Sequence, residues 1–378
     1  MSSKKSNLNS KDHQYMNLAI NLAKDRIGLT GLNPSVGCLI VKNDEIISTG
    51  QTGLNGRPHA EYNAIKNNKR KNHGSTLYVT MEPCTHHGLA PPCTSQILKS
   101  KIKKVIYAID DIDHRTSKKA YSLLKSKKII VKKNLLKNKA VKLYKKYFYH
   151  KKNKLPYVIG KIACSKDKFI YSNKKTITNK HSKKVSHLLR YQNQGILISS
   201  RTLNIDNPKL NCRINGLSNY SPTRFILDKD LNFKANSYLI KNSKKTKTIF
   251  FYNKANKQKL EILKKNRISS IRLKLNSKNQ FNLIDLLNTI YKFGISSLLV
   301  EGGKILTENF LKNKLFNEFY LFQSSENLNK KGKIKISNII KKLLITFNNI
   351  KNILYYTFRS DFLKTLSESQ KVFLERRS

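Results

Sequence analysis

Two stretches of this chain carry residues of the types and spacing needed for chemistry. They are Pro58-His59-Ala60-Glu61 and Glu82-Pro83-Cys84-Thr85-His86-His87-Gly88-Leu89-Ala90-Pro91-Pro92-Cys93. One histidine and two cysteines form a ligand set used by catalytic zinc, which keeps its fourth tetrahedral position for water. Zinc lowers the pKa of that water from about 15.7 to about 7. Glu61, just beyond His59, can face the water without binding the metal, take a proton from it and hand one to a leaving amine. These are the parts for hydrolytic removal of an exocyclic amino group from a nucleobase-like ring. The order His-x-Glu followed by Pro-Cys is that of zinc deaminases, in which Cys-x-x-Cys spacing is usual.

Here residues 85–92 separate the two cysteines, a much longer gap. A closed structural zinc site is the rival reading, since His86 or His87 could supply a fourth ligand. Glu61 after His59, and the proline before Cys84, favour the open site.

The elements that must position these residues follow from periodicity. Ser10 or Asp12 can cap a helix with Met16, Ile20, Ala23 and Ile27 at helical spacing, ended by Gly28 and Gly31. Strands are expected at 38–41 and through Ile46 and Ile47. Cys38 reads as a small core residue. Pro58 opens a helix starting near His59; on its body His59 and Glu61 would not share a face, so both converge only at the first turn. A buried strand at 76–80 delivers Glu82-Pro83-Cys84, and Pro92 and Cys93 begin the next helix. A strand at 105–109, a helix at 117–125 and a strand at 129–131 complete an alternation that implies a sheet covered by helices on both faces. The candidate ligands fall at strand ends and helix starts, where open α/β sheets place their sites.

The chain has 378 residues, enough for two buried cores. A polar, lysine-rich stretch at 150–156 ending in proline marks the boundary, giving domains 1–150 and 151–378. No apolar run approaches the roughly 18 residues of a membrane helix, and residues 1–11 read as a polar tail rather than a secretory signal. Five cysteines, an odd number, fit reduced cytoplasmic thiols better than a disulfide framework. The formal charge of +53 raises nucleic-acid binding. The lysines, however, are spread over both halves, often beside asparagines, as A+T-rich codon usage would produce. The expected partner is therefore a small molecule, with no specific nucleic acid and no membrane; a homo-oligomer is left open.

In the second half, strands are expected at 157–163, 195–199, 224–227, 248–252 and 297–300. Thr178 or Asn179 caps a helix carrying Val185, Leu188 and Leu189, and a second helix carries Leu283, Leu286, Leu287 and Ile290. No Gly-x-Gly-x-x-Gly or Walker loop occurs. Val300-Glu301-Gly302-Gly303-Lys304 joins a strand to a helix through two glycines, which is by itself a weak phosphate-site signal.

Taken in order, Asn33-Pro34-Ser35-Val36-Gly37-Cys38, Pro58-His59-Ala60-Glu61 and the Glu82 to Cys93 run resemble the bifunctional deaminase/reductase family of riboflavin biosynthesis. The resemblance implies a cytidine-deaminase-like three-layer α/β/α domain followed by a dihydrofolate-reductase-like α/β domain, with Zn2+ and NADPH as cofactors. It implies His59, Cys84 and Cys93 as zinc ligands, Glu61 as proton carrier and Asn33 beside the pyrimidine. In the second half it implies Cys164, Thr176, Thr202, Asp206 and Gly303 at NADPH. Lys161, Arg190, Leu210, Arg213 and Glu301 would hold a phosphoribosyl pyrimidine. The implied activity is deamination of 2,5-diamino-6-(5-phosphoribosylamino)pyrimidin-4-one, then reduction of its ribosyl group to ribityl. Alternatives are a deaminase with a degenerate reductase half, or a nucleic-acid deaminase. The chain departs from the family pattern at several places, among them a shortened segment before Thr176 and a poor match after Phe322. Leu89 stands where a basic residue is usual, and Asp111-Ile112-Asp113-His114 where Asp-Pro-Asn-Pro is. Lys168 replaces a glycine and Thr176 a tryptophan.

Overall fold

The structure, a computed structural model, describes residues 2–68, 71–172, 177–336 and 353–358. The chain divides into two compact units, Met1–Leu155 and Pro156–Ser378.

In the first unit α1 (Ser2–Lys24) leads into the hairpin β1 (Gly37–Lys42) and β2 (Glu45–Gln51). Then come α2 (Ala60–Asn67), β3 (Thr76–Val79), α3 (Cys93–Lys99), β4 (Lys104–Tyr107), α4 (Lys119–Ser126), β5 (Ile130–Lys133) and α5 (Lys137–Asn153). The strands form one sheet in the order β2-β1-β3-β4-β5. β1 is antiparallel to both neighbours, whereas β3, β4 and β5 are parallel. β1, β3 and β4 read as continuous apolar runs because both of their faces are covered. Their core joins Met16, Ile20, Leu39, Val79, Ile106 and Tyr144.

Helix α1 starts at Ser2, not at Ser10 or Asp12 as the capping pattern suggested. Asp12 is instead buried inside the unit, accepting a hydrogen bond from the Tyr78 hydroxyl with Lys104 and Lys132 close by. Helix α5 runs through most of the stretch expected as linker and ends at Asn153. Its inward residues Ala140, Tyr144 and Tyr147 keep helical spacing, and the hydroxyls of Tyr144 and Tyr147 are satisfied by Thr80 and Asp111. Tyrosines with partnered hydroxyls can serve as core, and that is how so lysine-rich a helix is buried.

The second unit begins with β6 (Tyr157–Cys164), β7 (Phe169–Ser172), α6 (Lys180–Tyr191), β8 (Gly195–Ser199), α7 (Ser200–Asp206) and β9 (Thr223–Leu227). It continues through α8 (Tyr238–Lys241), β10 (Thr248–Tyr252), α9 (Lys257–Lys265), β11 (Ser269–Arg272), α10 (Leu283–Lys292) and β12 (Ser297–Val300). The last elements are α11 (Lys304–Lys312), β13 (Glu318–Ser324), β14 (Gly332–Lys335) and β15 (Ile353–Phe358). Among the described residues the main sheet runs β11-β10-β9-β8-β12-β6-β13-β15, with every neighbouring pair parallel. β7 and β14 form a separate antiparallel pair. Asn179 caps α6 by accepting from the Ser182 amide at 2.9 Å, and Asn282 caps α10 by accepting from the amides of Ile284 and Asp285.

Lys168, at the position where glycine was expected, adopts φ +69° in the turn between β6 and β7. A side chain in the left-handed region costs about 1 kcal/mol. Lys168→Gly is therefore expected to raise stability by about 0.5–1 kcal/mol in urea unfolding; no gain would show that the turn carries no such strain.

Candidate functional site

The short helix α2 positions the first group of residues. His59 is its N-cap, with extended backbone (φ −69°, ψ 156°), while Glu61 already lies in the first helical turn. That half-helical junction is how residues two apart converge. Helix α2 lies so close to β2 that a Cβ on Gly50 would come 2.1 Å from the Ala60 carbonyl oxygen and 2.5 Å from the Ala64 nitrogen. Gly50→Ala is thus expected to displace the first turn of α2, and metal stoichiometry after dialysis should fall well below that of the parent chain. Full retention would show that the turn tolerates the shift.

Cys84 follows the carboxyl end of β3, and Cys93 is the first residue of α3. The Cys93 amide donates to Cys84 Sγ at 3.3 Å, and the amide and hydroxyl of Thr94 both donate to the Cys84 carbonyl. The start of α3 is thereby folded onto Cys84. His59 Nδ1 lies 3.6 Å from Cys84 Sγ and 3.3 Å from Cys93 Sγ. Donor atoms of His59, Cys84 and Cys93 all lie within 4.8 Å of one another, and this is the one such cluster among the described residues. His86 does not join it; its Nδ1 is 3.0 Å from Thr116 Oγ1.

The electrostatics suit a cation. The Cys93 thiol and His59 hold the Cys84 thiol down to about 4, and the Cys93 thiol is pushed up as its partner ionises. Glu61, 4% exposed, is pushed up to about 7 by burial, with His59 pulling the other way. Asn33, between α1 and β1, reaches the segment leading to His59, its Nδ2 donating to the Gly56 carbonyl at 3.4 Å. Only glycine fits at 56: φ is +90°, and a Cβ would lie 2.2 Å from Asn33 Nδ2.

One functional residue escaped the sequence reading. The buried Glu82 carboxylate accepts from the amides of Asp111, Lys118 and Ala120 at 3.1, 2.9 and 3.0 Å, so it fixes the 111–118 loop and the start of α4. Its place in Glu82-Pro83-Cys84, an acidic residue at a strand's carboxyl end, was the available signal. In that loop Asp113 accepts from Arg115 at 2.6 and 2.9 Å and from Lys151 at 3.0 Å. Asp113 is thus committed to the protein itself.

The second group of residues gathers at the carboxyl ends of β6, β8 and β12. β12 pairs with β6 only as far as Gly160 and with β8 only as far as Leu197. Both neighbours run on past it, leaving a notch where Glu301-Gly302-Gly303 turns into α11. Thr202 of α7 faces the same notch, since a Cβ on Gly303 would come within 3.4 Å of its Oγ1. Arg190 Nε and Nη2 donate to the two Glu301 oxygens at 2.7 and 2.9 Å, its Nη1 donates to the Asn211 carbonyl, and Lys161 Nζ is 3.7 Å from Glu301. The Arg190 fork is therefore taken by a carboxylate, not left open for phosphate. Burial would raise the Glu301 carboxyl, but Arg190 and Lys161 overcome it and bring it to about 2. Arg213 is tied to Asn211 Oδ1 at 2.7 Å. Asp206 ends α7, close enough to Lys161 for their charges to interact. Leu210 is 2% exposed, and Cys164 packs with Ile162, Phe319, Leu321 and Ile336. Cys164 can therefore offer a ligand only its backbone. Thr176 lies outside the described residues.

Residues 9–109 match the family model described as the cytidine and deoxycytidylate deaminase zinc-binding region, and residues 156–337 match the RibD C-terminal domain. Fold and site together define a deaminase of the cytidine-deaminase type joined to a dihydrofolate-reductase-like reductase. The riboflavin biosynthesis protein RibD of Aquifex aeolicus is 33% identical over 90% of this chain and 96% of its own length. That of Bacillus amyloliquefaciens is 32% identical over 82% and 84%. Among solved structures, Acinetobacter baumannii RibD (form 2) superposes with a TM-score of 0.76 at 26% identity, covering 87% of this chain and 91% of that one. The Thermotoga maritima diaminohydroxyphosphoribosylaminopyrimidine deaminase/5-amino-6-(5-phosphoribosylamino)uracil reductase gives 0.75 at 28%, covering 88% and 93%. The chain belongs to the RibD family of riboflavin biosynthesis proteins, and it is a bifunctional deaminase and reductase. No helix among the described residues is long and apolar enough to cross a membrane.

Proposed function

We propose that the first unit deaminates 2,5-diamino-6-(5-phosphoribosylamino)pyrimidin-4-one and that the second reduces the product's ribosyl group to ribityl with NADPH. The observation that carries this reading is the three-donor cluster of His59, Cys84 and Cys93 beside a buried carboxylate, Glu61. The donors fit zinc chemically: an imidazole, a thiol already inclined to ionise and a second thiol hydrogen-bonded to it. Zinc held by these three residues would supply the Lewis acidity that makes water a nucleophile near neutral pH. Glu61 takes the proton released from that water and delivers protons to the departing ammonia, from a pocket where bulk water does not compete for them. Asn33, fixed against Gly56, presents its amide to the polar edge of the pyrimidine.

In the second unit, Thr202 and Gly303 border the space for the cofactor; glycine at 303 leaves open what a side chain would fill. NADPH bound there would supply the hydride that converts the ribosyl C1′ to the end of an open chain. Glu301 holds the Lys161 and Arg190 side chains in place at the notch. Supplying the diaminopyrimidinone phosphate with and without NADPH, and identifying products by mass spectrometry, tests the reading. Ammonia with the aminouracil is expected without NADPH, and the ribityl compound with it. Absence of ammonia would overturn the first assignment, and absence of cofactor oxidation with the aminouracil the second.

A further inference from the structure

We propose that Arg57 is the residue that binds the substrate's phosphate at the mouth of the deaminase site. The inference rests on the phosphoribosyl substrate proposed above and assigns a part of it that the metal cluster and Glu61 do not address.

The guanidinium lies over the loop that joins the two cysteines. A Cβ on Gly88 would come within 3.2 Å of Arg57 Nη2. That loop offers no charge of its own at the contact: Leu89, the next residue, is 91% exposed and apolar. Arg57 is held from below by a tight segment. The Gly53 amide donates to the Pro58 carbonyl at 2.8 Å, the Gly56 amide to the Gly53 carbonyl at 3.0 Å and the Asn55 amide to the Leu29 carbonyl at 2.8 Å. Asn33 closes the same segment through Gly56. Arg57 thus follows Gly56, which Asn33 contacts, and precedes Pro58 and the N-cap His59 on a hydrogen-bonded turn.

Arg115 and Lys151 are held by Asp113, and His86 is occupied by Thr116. Among the described residues the Arg57 guanidinium donates no hydrogen bond and has no ion-pair partner. A fixed positive charge next to a metal-ligand cluster repels a metal cation, and an incoming anion offsets that repulsion. The guanidinium fork matches phosphate geometry bidentately. Arg57 stands two residues before His59, and its Nη2 lies beside Gly88 of the loop between the two cysteines, so the guanidinium borders the metal-ligand cluster.

The test compares the full-length, zinc-loaded chain with Arg57→Ala, using the phosphorylated diaminopyrimidinone riboside and its dephosphorylated form. In the parent chain the phosphorylated compound should have the much lower KM. In Arg57→Ala that KM ratio should collapse by about 10- to 100-fold, the range for one charge-assisted contact. Leu89→Arg added to Arg57→Ala places a guanidinium on the adjoining loop and should recover part of the ratio. Calorimetric binding of the phosphorylated aminouracil product gives the same comparison without turnover and should weaken by a similar factor. An unchanged KM ratio together with unchanged product affinity overturns the assignment. A parent chain that neither releases ammonia nor binds the product overturns the substrate reading, and this assignment with it. A parent chain that does both while Arg57→Ala matches it overturns the assignment alone.

Discussion

A chain carrying Glu61→Gln will keep its zinc and lose deamination by a factor of about 10²–10⁴, the usual worth of a positioned proton carrier. The amide is nearly the shape of the carboxylate and leaves His59, Cys84 and Cys93 untouched, so metal stoichiometry separates loss of chemistry from loss of the site. Cys84→Ser and Cys93→Ser should instead release the metal together with the activity, because each removes one of three donors within 4.8 Å. Reduction of externally supplied aminouracil by NADPH should survive all three substitutions, since those residues lie in Met1–Leu155 and the notch in Pro156–Ser378. Normal ammonia release by the Glu61→Gln chain would mean that another group carries the proton.

Glu301→Ala is expected to have the largest effect in the second unit. It strips the carboxylate from Arg190 and Lys161, whose side chains are only 11% and 14% exposed. Removing one partner from a buried ion pair costs about 3–5 kcal/mol because the remaining charges are left without compensation. Reductase activity should disappear and the second unit should unfold at much lower denaturant, while ammonia release persists. The same carboxylate makes stability depend on pH. Its pKa falls from the ordinary 4.5 to about 2 on folding, so its contribution is complete above pH 4.5 and is lost as pH drops toward 2. That contribution is about 3 kcal/mol, and Glu301→Gln should flatten this part of the acid-unfolding profile. A profile identical to that of the parent chain would show that the carboxylate is not coupled to folding.

The first site was largely legible in the sequence because its residues cluster in two short motifs at a helix start and a strand end. The strands at 195–199, 248–252 and 297–300 were equally legible, being short apolar runs of a parallel sheet. Helix α5 was not, since its buried face uses Tyr144 and Tyr147, whose partners Thr80 and Asp111 come from distant positions. β11 exposes three of its four residues strongly and lies at the sheet's edge, so it lacks an apolar signature. The notch of the second unit was harder still. That Arg190 is gripped by Glu301 from 111 residues away is a matter of register between β12 and its neighbours, which no local pattern records. Lys168 shows the converse: the left-handed backbone that glycine would suit is kept although lysine occupies the position.

Counting the protein ligands on the metal tests the central claim most directly. X-ray absorption on the zinc-loaded chain should show two sulfurs and one imidazole nitrogen from the protein, with a fourth light-atom position that added anions perturb. A first shell filled by four protein side chains, as a second imidazole from His86 or His87 would give, would leave no place for the attacking water and would contradict the account.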